Sequence, residues 1–244
     1  MIPPADRQPA FVLHRRAFRE SSVLVELLTR DFGRVGGVVR GAKGSRGQRP
    51  EIEPFGELAV TWRGRGELVT VTRSESVRPR RLTGDVLFAG LYVNELLVKT
   101  LGREEPVGSV FQRYEDTLSG MQTRADIEPA LRTFERHLLD ELGYGIAFDF
   151  DVHSGKPIER RKNYRMVDGE GFREVEASDA APVPHGSGPL VLSGGQIAAI
   201  ARSEFADHSV RRAAKQVLRR AIALRLGGRP LTTRRLFAAN AIQA

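Results

Sequence analysis

The spacing of apolar residues changes once along this chain, at residues 78–85, and that change limits the folds open to it. Before it, residues 11–72 hold five short runs with strand character: "FVLHRRAF", "SSVLVELLT", "GRVGGVVRG", "FGELAVTW" and "ELVTVTR". No strong helical pattern separates them. The second and third flank "RDFGR", where Gly33 suits a short hairpin loop. A tight turn is expected at Arg63-Gly64-Arg65-Gly66. Isolated hairpins are marginal in water, so a sheet this small must close or pack. The expectation is a small closed or partly open barrel, with an SH3-like barrel as the competing form.

After "RPRRLTGD" the apolar residues recur at helical spacing. Helices are predicted over 85–101, 108–121, 127–142, 193–203 and 208–226, with a short one around "TTRRLFAAN". In the third, Leu131, Phe134, Leu138 and Leu142 form one stripe, while Arg132 and Arg136 share another face one turn apart. Gly143 supplies a stop, as do Gly227, Gly228 and Pro230 further on. Residues 146–190, rich in Gly, Pro and charge, read as irregular. The fold class is therefore α+β: a five-stranded barrel over 1–80, then a mostly helical domain over 81–244 with an irregular insert at about 146–190.

Charge is segregated along this plan. Residues 1–81 carry 16 Lys and Arg against 9 acids, residues 82–204 carry 13 against 20, and residues 205–244 carry 9 against 1. Two basic ends around an acidic middle create local fields that attract a polyanion. There is no cysteine, which excludes disulfides and thiolate metal sites and fits a reducing compartment. "MIPPADRQPA" has no apolar signal region, and no window nears the ~18 apolar residues of a membrane span. The expectation is a soluble, cytoplasmic protein with no membrane contact.

The densest basic stretch is "VVRGAKGSRGQRP", residues 38–50, with Arg40, Lys43, Arg46 and Arg49 among three glycines and no acid. A phosphate-binding P-loop is excluded, because Ala42 stands where its lysine is needed. The G-x-x-G clamp of a KH domain joins two helices, whereas this stretch joins strands. What remains is a basic loop whose glycines let backbone approach a phosphate chain. "LSGGQ", residues 192–196, copies the signature of ABC-type ATPases, yet their lysine loop and second acidic motif are missing. Ser193 and Gln196 have instead the spacing of a capping box. In "DFDVH", Asp149, Asp151 and His153 alternate, so an extended chain would aim all three one way and offer a metal a site; a polar surface turn is the simpler reading. An EF-hand fails, because Arg160 stands at the twelfth loop position. Trp62, Phe18 and Phe55 are candidates for stacking on bases, though barrel aromatics are more often core. No cofactor fingerprint and no catalytic constellation is present. The last long helix sets Arg211, Arg212, Lys215, Arg219 and Arg220 beside an apolar stripe, which suits a solvated face or an acidic partner.

Five stretches, in order, carry a resemblance: "LHRRAFRESSVLVELLTRDFGRVGGVVRGAKG", "LYVNELLVKTLGREEP", "YEDTL", "LRTFERHLLDELGYG" and "LGGRPLTTRRLF". Together they resemble the RecO family of bacterial recombination mediators and repair proteins, across nearly the whole chain. The resemblance implies an OB-fold barrel followed by a helical domain. It implies a protein that is not an enzyme. Such a protein binds single- and double-stranded DNA, anneals complementary strands and, with RecR, loads RecA onto strands coated by single-strand binding protein (SSB). It further implies contact of the helical domain with the acidic C-terminal tail of SSB, with Arg132 where a family arginine meets that tail and Arg136, Lys215 and Arg219 as further candidates. The cations expected to track a DNA backbone are Arg15, Arg16, Arg19, Arg34, Arg40, Lys43, Arg46 and Arg49. Many family members carry four zinc-binding cysteines just after the "ELGYG" stretch. This chain has none and resembles the zinc-free branch, so residues 146–190 must hold their shape by packing and hydrogen bonds. The alternative is an RNA-binding or ribosome-associated barrel protein.

Overall fold

The computed structural model describes residues 2–41, 52–64, 66–176 and 189–233. The chain forms two compact units, one of residues 1–122 with 231–244 and one of residues 123–230. In the first, strands β1 (Ala5–Phe18), β2 (Ser22–Thr29), β3 (Gly33–Val39), β4 (Glu57–Arg63) and β5 (Leu68–Arg78) close a barrel in the order β1-β2-β3-β5-β4. Four pairings are antiparallel, and β3 with β5 is parallel. This is the five-stranded, OB-like barrel that the resemblance implies. Alternation along the strands fills it: Ala10, Val12, Val25, Leu27, Val35, Leu58, Val60 and Val69 point into one core. Trp62 joins them with no exposure, its indole N–H donating to the Pro3 carbonyl at 3.0 Å. Of the three base-stacking candidates, Trp62 and Phe55 are thus buried and Phe18 is half-buried.

Gly33 makes the β2–β3 hairpin possible. Its φ is +64°, and a Cβ there would lie 1.8 Å from the Glu105 carbonyl oxygen.

Helices α1 (Gly84–Thr100) and α2 (Gly108–Gly120) belong to the same unit. The residues of β1 that alternate with the barrel core meet them. Phe11 packs on Phe111 and Tyr114, with ring centroids 5.0 and 4.9 Å apart. The buried Asn94 donates to the Leu13 carbonyl at 3.0 Å and accepts from the Tyr114 hydroxyl at 2.7 Å. Burial holds that phenol above its ordinary pKa. The chain returns to α1 near its end: the Glu95 carboxylate accepts from the backbone N–H and hydroxyl of both Thr232 and Thr233, at 2.5–2.8 Å. Burial alone would raise the Glu95 pKa, but these bonds and Lys99 pull it down to about 2.

The second unit holds α3 (Arg124–Glu141), β6 (Asn163–Val167), β7 (Gly171–Val175), β8 (Val191–Ser193), α4 (Gly194–Ala201) and α5 (His208–Arg225). A capping box of Thr123 and Asp126 starts α3. The expected box of Ser193 and Gln196 starts α4, each side chain accepting from the other's backbone N–H. Helix α3 packs on α5 through the predicted stripe, with Leu131, Phe134 and Leu138 buried.

Residues 146–190 correct an expectation. Their described part is not irregular: it supplies β6 and β7, which with β8 just after it form a three-stranded antiparallel sheet in the order β7-β6-β8. Tyr164, Met166, Phe172 and Leu192 are its buried residues. Asp149, Asp151 and His153 do not share a face. Asp151 is buried, and its carboxylate accepts from the backbone N–H groups of His153, Ser154 and Glu174 at 2.8, 2.6 and 2.5 Å. Asp149 and His153 are exposed. The expected helix around "TTRRLFAAN" falls mostly outside the described residues.

Candidate nucleic-acid interface

The barrel end where β1 meets β2 brings together two of the basic residues that the sequence singles out, Arg19 and Arg40. Phe18 pairs with Ser22, Ala17 with Val23, and Val23 in turn with Val39. Arg19, in the β1–β2 turn at φ +53°, and Arg40, directly after β3, therefore stand at the same rim. Both are exposed. Arg19 lies 5.1 Å from the centre of the Phe18 ring, which is only half-buried. The basic stretch begins at this rim, where β3 ends, and precedes β4 in the chain. Lys43, Arg46 and Arg49 lie outside the described residues.

Arg15 and Arg16 sit two to three residues below the rim, on opposite sides of β1. Arg16 is exposed and lines a hollow of about 170 Å³ with His14, Leu24, Glu26, Leu68 and Arg103. Arg15 lines a different groove and donates to the Glu53 carboxylate at 2.7 Å.

Arg34 is used inside the protein. Its side chain is 15% exposed, pairs with Glu26 at 3.1 Å and donates to the Leu101 carbonyl at 3.1 Å. Burial lowers its pKa while Glu26 opposes the shift. Arg103 also pairs with Glu26, so one carboxylate bridges two guanidinium groups. The sequence reading missed Arg103. Its signal is structural: Arg34 and Arg103 meet in an isolated β-bridge, which no local pattern announces.

In the second unit, Arg132 is buried and pairs with the buried Glu135 at 2.7 Å. Its Nε and Nη1 are buried without a hydrogen-bond partner. Arg136, one turn on, reaches Asp140 at 3.5 Å, and burial raises the pKa of that acid. Lys215 of α5 pairs with Glu128 of α3 at 3.3 Å, one turn before Arg132. Arg219 is exposed. Arg132, Arg136 and Lys215 are thus brought along one stretch of the α3–α5 pair, each against an acid of its own unit.

Chemically, these arrangements can bind anions. Guanidinium groups donate paired N–H bonds to phosphate or carboxylate oxygens. Among the described residues no group of His, Asp and Glu is placed to hold a metal ion, and no helix is long and apolar enough to cross a membrane.

Comparison with known proteins decides the family. The model of the family described as "Recombination protein O N terminal" matches residues 4–80, and that of "Recombination protein O C terminal" matches residues 81–235. This chain belongs to the RecO family. Among its relatives, the "DNA repair protein RecO" of Stutzerimonas stutzeri (strain A1501) is 42% identical over 234 residues, covering 96% of this chain and 94% of that protein. The RecO of Halorhodospira halophila is 40% identical over 96% of this chain and 97% of its own. That of Cellvibrio japonicus is 38% identical over 95% and 96%. The RecO likeness therefore runs through both the barrel and the helical part.

Proposed function

We propose that this protein is a DNA-binding recombination mediator in DNA repair. It binds single- and double-stranded DNA, anneals complementary strands and, with RecR, helps load RecA onto strands coated by SSB. It does no bond-making chemistry. The observation that carries this reading is the meeting of Arg19 and Arg40 at one barrel rim, in a chain of the RecO family.

The DNA backbone runs along that rim. Arg16, Arg19 and Arg40 contact phosphates together with Lys43, Arg46 and Arg49. Arg15 joins them by exchanging Glu53 for a phosphate. Arg34 supports the surface from within by holding Glu26. Covering the phosphates lowers the repulsion between two strands, which is what annealing requires. In the second unit, Arg136, Lys215 and Arg219 attract the acidic SSB tail, and Arg132 supplies its unpartnered N–H groups to a tail carboxylate.

Annealing of complementary oligonucleotides precoated with SSB tests this reading. The protein should accelerate annealing on SSB-coated strands, and an SSB lacking its acidic tail should abolish most of that acceleration while annealing of naked strands persists. No acceleration on either substrate would overturn the function. Equal acceleration with both forms of SSB would overturn the tail contact alone.

A further inference from the structure

A groove of about 740 Å³ opens in the first unit beside the chain that returns from the basic stretch. Glu53 and Pro54, near the end of that return, belong to its wall. Its floor is apolar. Phe55 packs over α1 where Gly90 leaves room, since a Cβ at Gly90 would lie 2.8 Å from the ring. Leu87 and Leu91, one turn apart on α1, line the groove while only half-buried. Its polar residues are mostly cations. Arg15, Arg80 and Arg81 line it, and Glu53, already paired with Arg15, is the one acid among the lining residues. Arg80 is held by Glu115 at 3.1 Å and Ser119 at 2.8 Å, yet its Nη1 is buried with no partner.

A site with an apolar floor and guanidinium edges suits a ligand with an apolar face, polar edges and a negative chain attached. We propose that this groove receives an unstacked nucleobase from a single DNA strand. The base lies on Leu87 and Leu91, Arg80 donates to its edge, and Arg15 and Arg81 hold the flanking phosphates. A duplex is excluded from this mode, because its bases are stacked and paired and one would first have to be drawn out of the stack. The groove therefore makes the protein favour single strands over duplexes at equal charge. This inference rests on the DNA-binding reading above.

The test is fluorescence anisotropy at fixed salt with three ligands: oligothymidine, an abasic oligonucleotide of the same length, and a duplex. Wild-type protein should bind oligothymidine more tightly than the abasic strand. The Leu87→Gln/Leu91→Gln variant keeps helix-forming residues at both positions. It should bind oligothymidine about tenfold more weakly, within the range for one stacked base, and bind the other two ligands as before. Equal wild-type affinity for oligothymidine and the abasic strand would overturn the groove whatever the variant does, so the result does not depend on the variant folding. Unchanged oligothymidine binding by the variant, with loss of binding to a labelled acidic peptide carrying a phenylalanine, would assign the groove to a peptide instead. Wild-type protein that binds none of the three nucleic acids would overturn the DNA-binding reading itself.

Discussion

Arg15 and Arg16 are neighbours in sequence but serve different surfaces, because successive side chains of a strand point to opposite faces. Burial is harder to read than facing. Arg34 and Arg132 look like free cations in sequence, and each pairs with a carboxylate of its own unit, Glu26 and Glu135. Arg132 is the more consequential. Removing one partner of a buried ion pair strands the other's charge, so Arg132→Ala should cost about 3–5 kcal/mol of stability, measured by urea unfolding. Replacing both partners with apolar residues of similar volume, Arg132→Met with Glu135→Leu, should recover most of that loss. A double variant no more stable than the single one would contradict this account of the pair. For the same reason, Arg136→Ala and Lys215→Ala isolate the SSB-tail contact better than Arg132→Ala does.

At the scale of elements, the barrel strands and the five helices of the described residues are legible because their apolar spacing is regular. The β6–β7–β8 sheet is not. Two of its strands have five residues and the third has three, and charged residues fill their exposed positions, so the alternation of Tyr164 and Met166 is too short to stand out. The role of Asp151 was equally hidden, since it depends on Glu174, which is distant in sequence. Its carboxylate gathers three backbone N–H groups. Burial would raise its pKa, but these bonds lower it overall. A carboxylate lowered in the folded state stabilises fully above its unfolded pKa of about 4, and that contribution is lost as pH falls through the folded value. The Glu95 clamp, with its pKa near 2, loses its contribution in the same acid range. Asp151→Asn should therefore lower the melting temperature at pH 7 and shrink the difference from wild type as pH drops below about 4. A chelator should leave the wild-type melting temperature unchanged. A drop on chelation, or a stoichiometric zinc ion surviving dialysis, would contradict a turn held by Asp151 alone.

At the scale of the whole molecule, the account turns on where charge collects. The basic N-terminal third is legible in sequence, and the pairing of Val23 with both Ala17 and Val39 brings Arg19 and Arg40 to one rim. The central claim is that this rim and its basic stretch grip a phosphate backbone without reading bases. Salt dependence measures that grip directly, because each neutralised phosphate releases counterions. The decisive measurement is single-strand affinity across a salt series for wild type and for a variant with Arg40, Lys43, Arg46 and Arg49 all changed to alanine. The slope of log affinity against log salt should flatten by roughly 0.7 per lost contact, about 3 units at most, and by similar amounts on different sequences. A folded variant that keeps both its affinity and its slope would contradict the account.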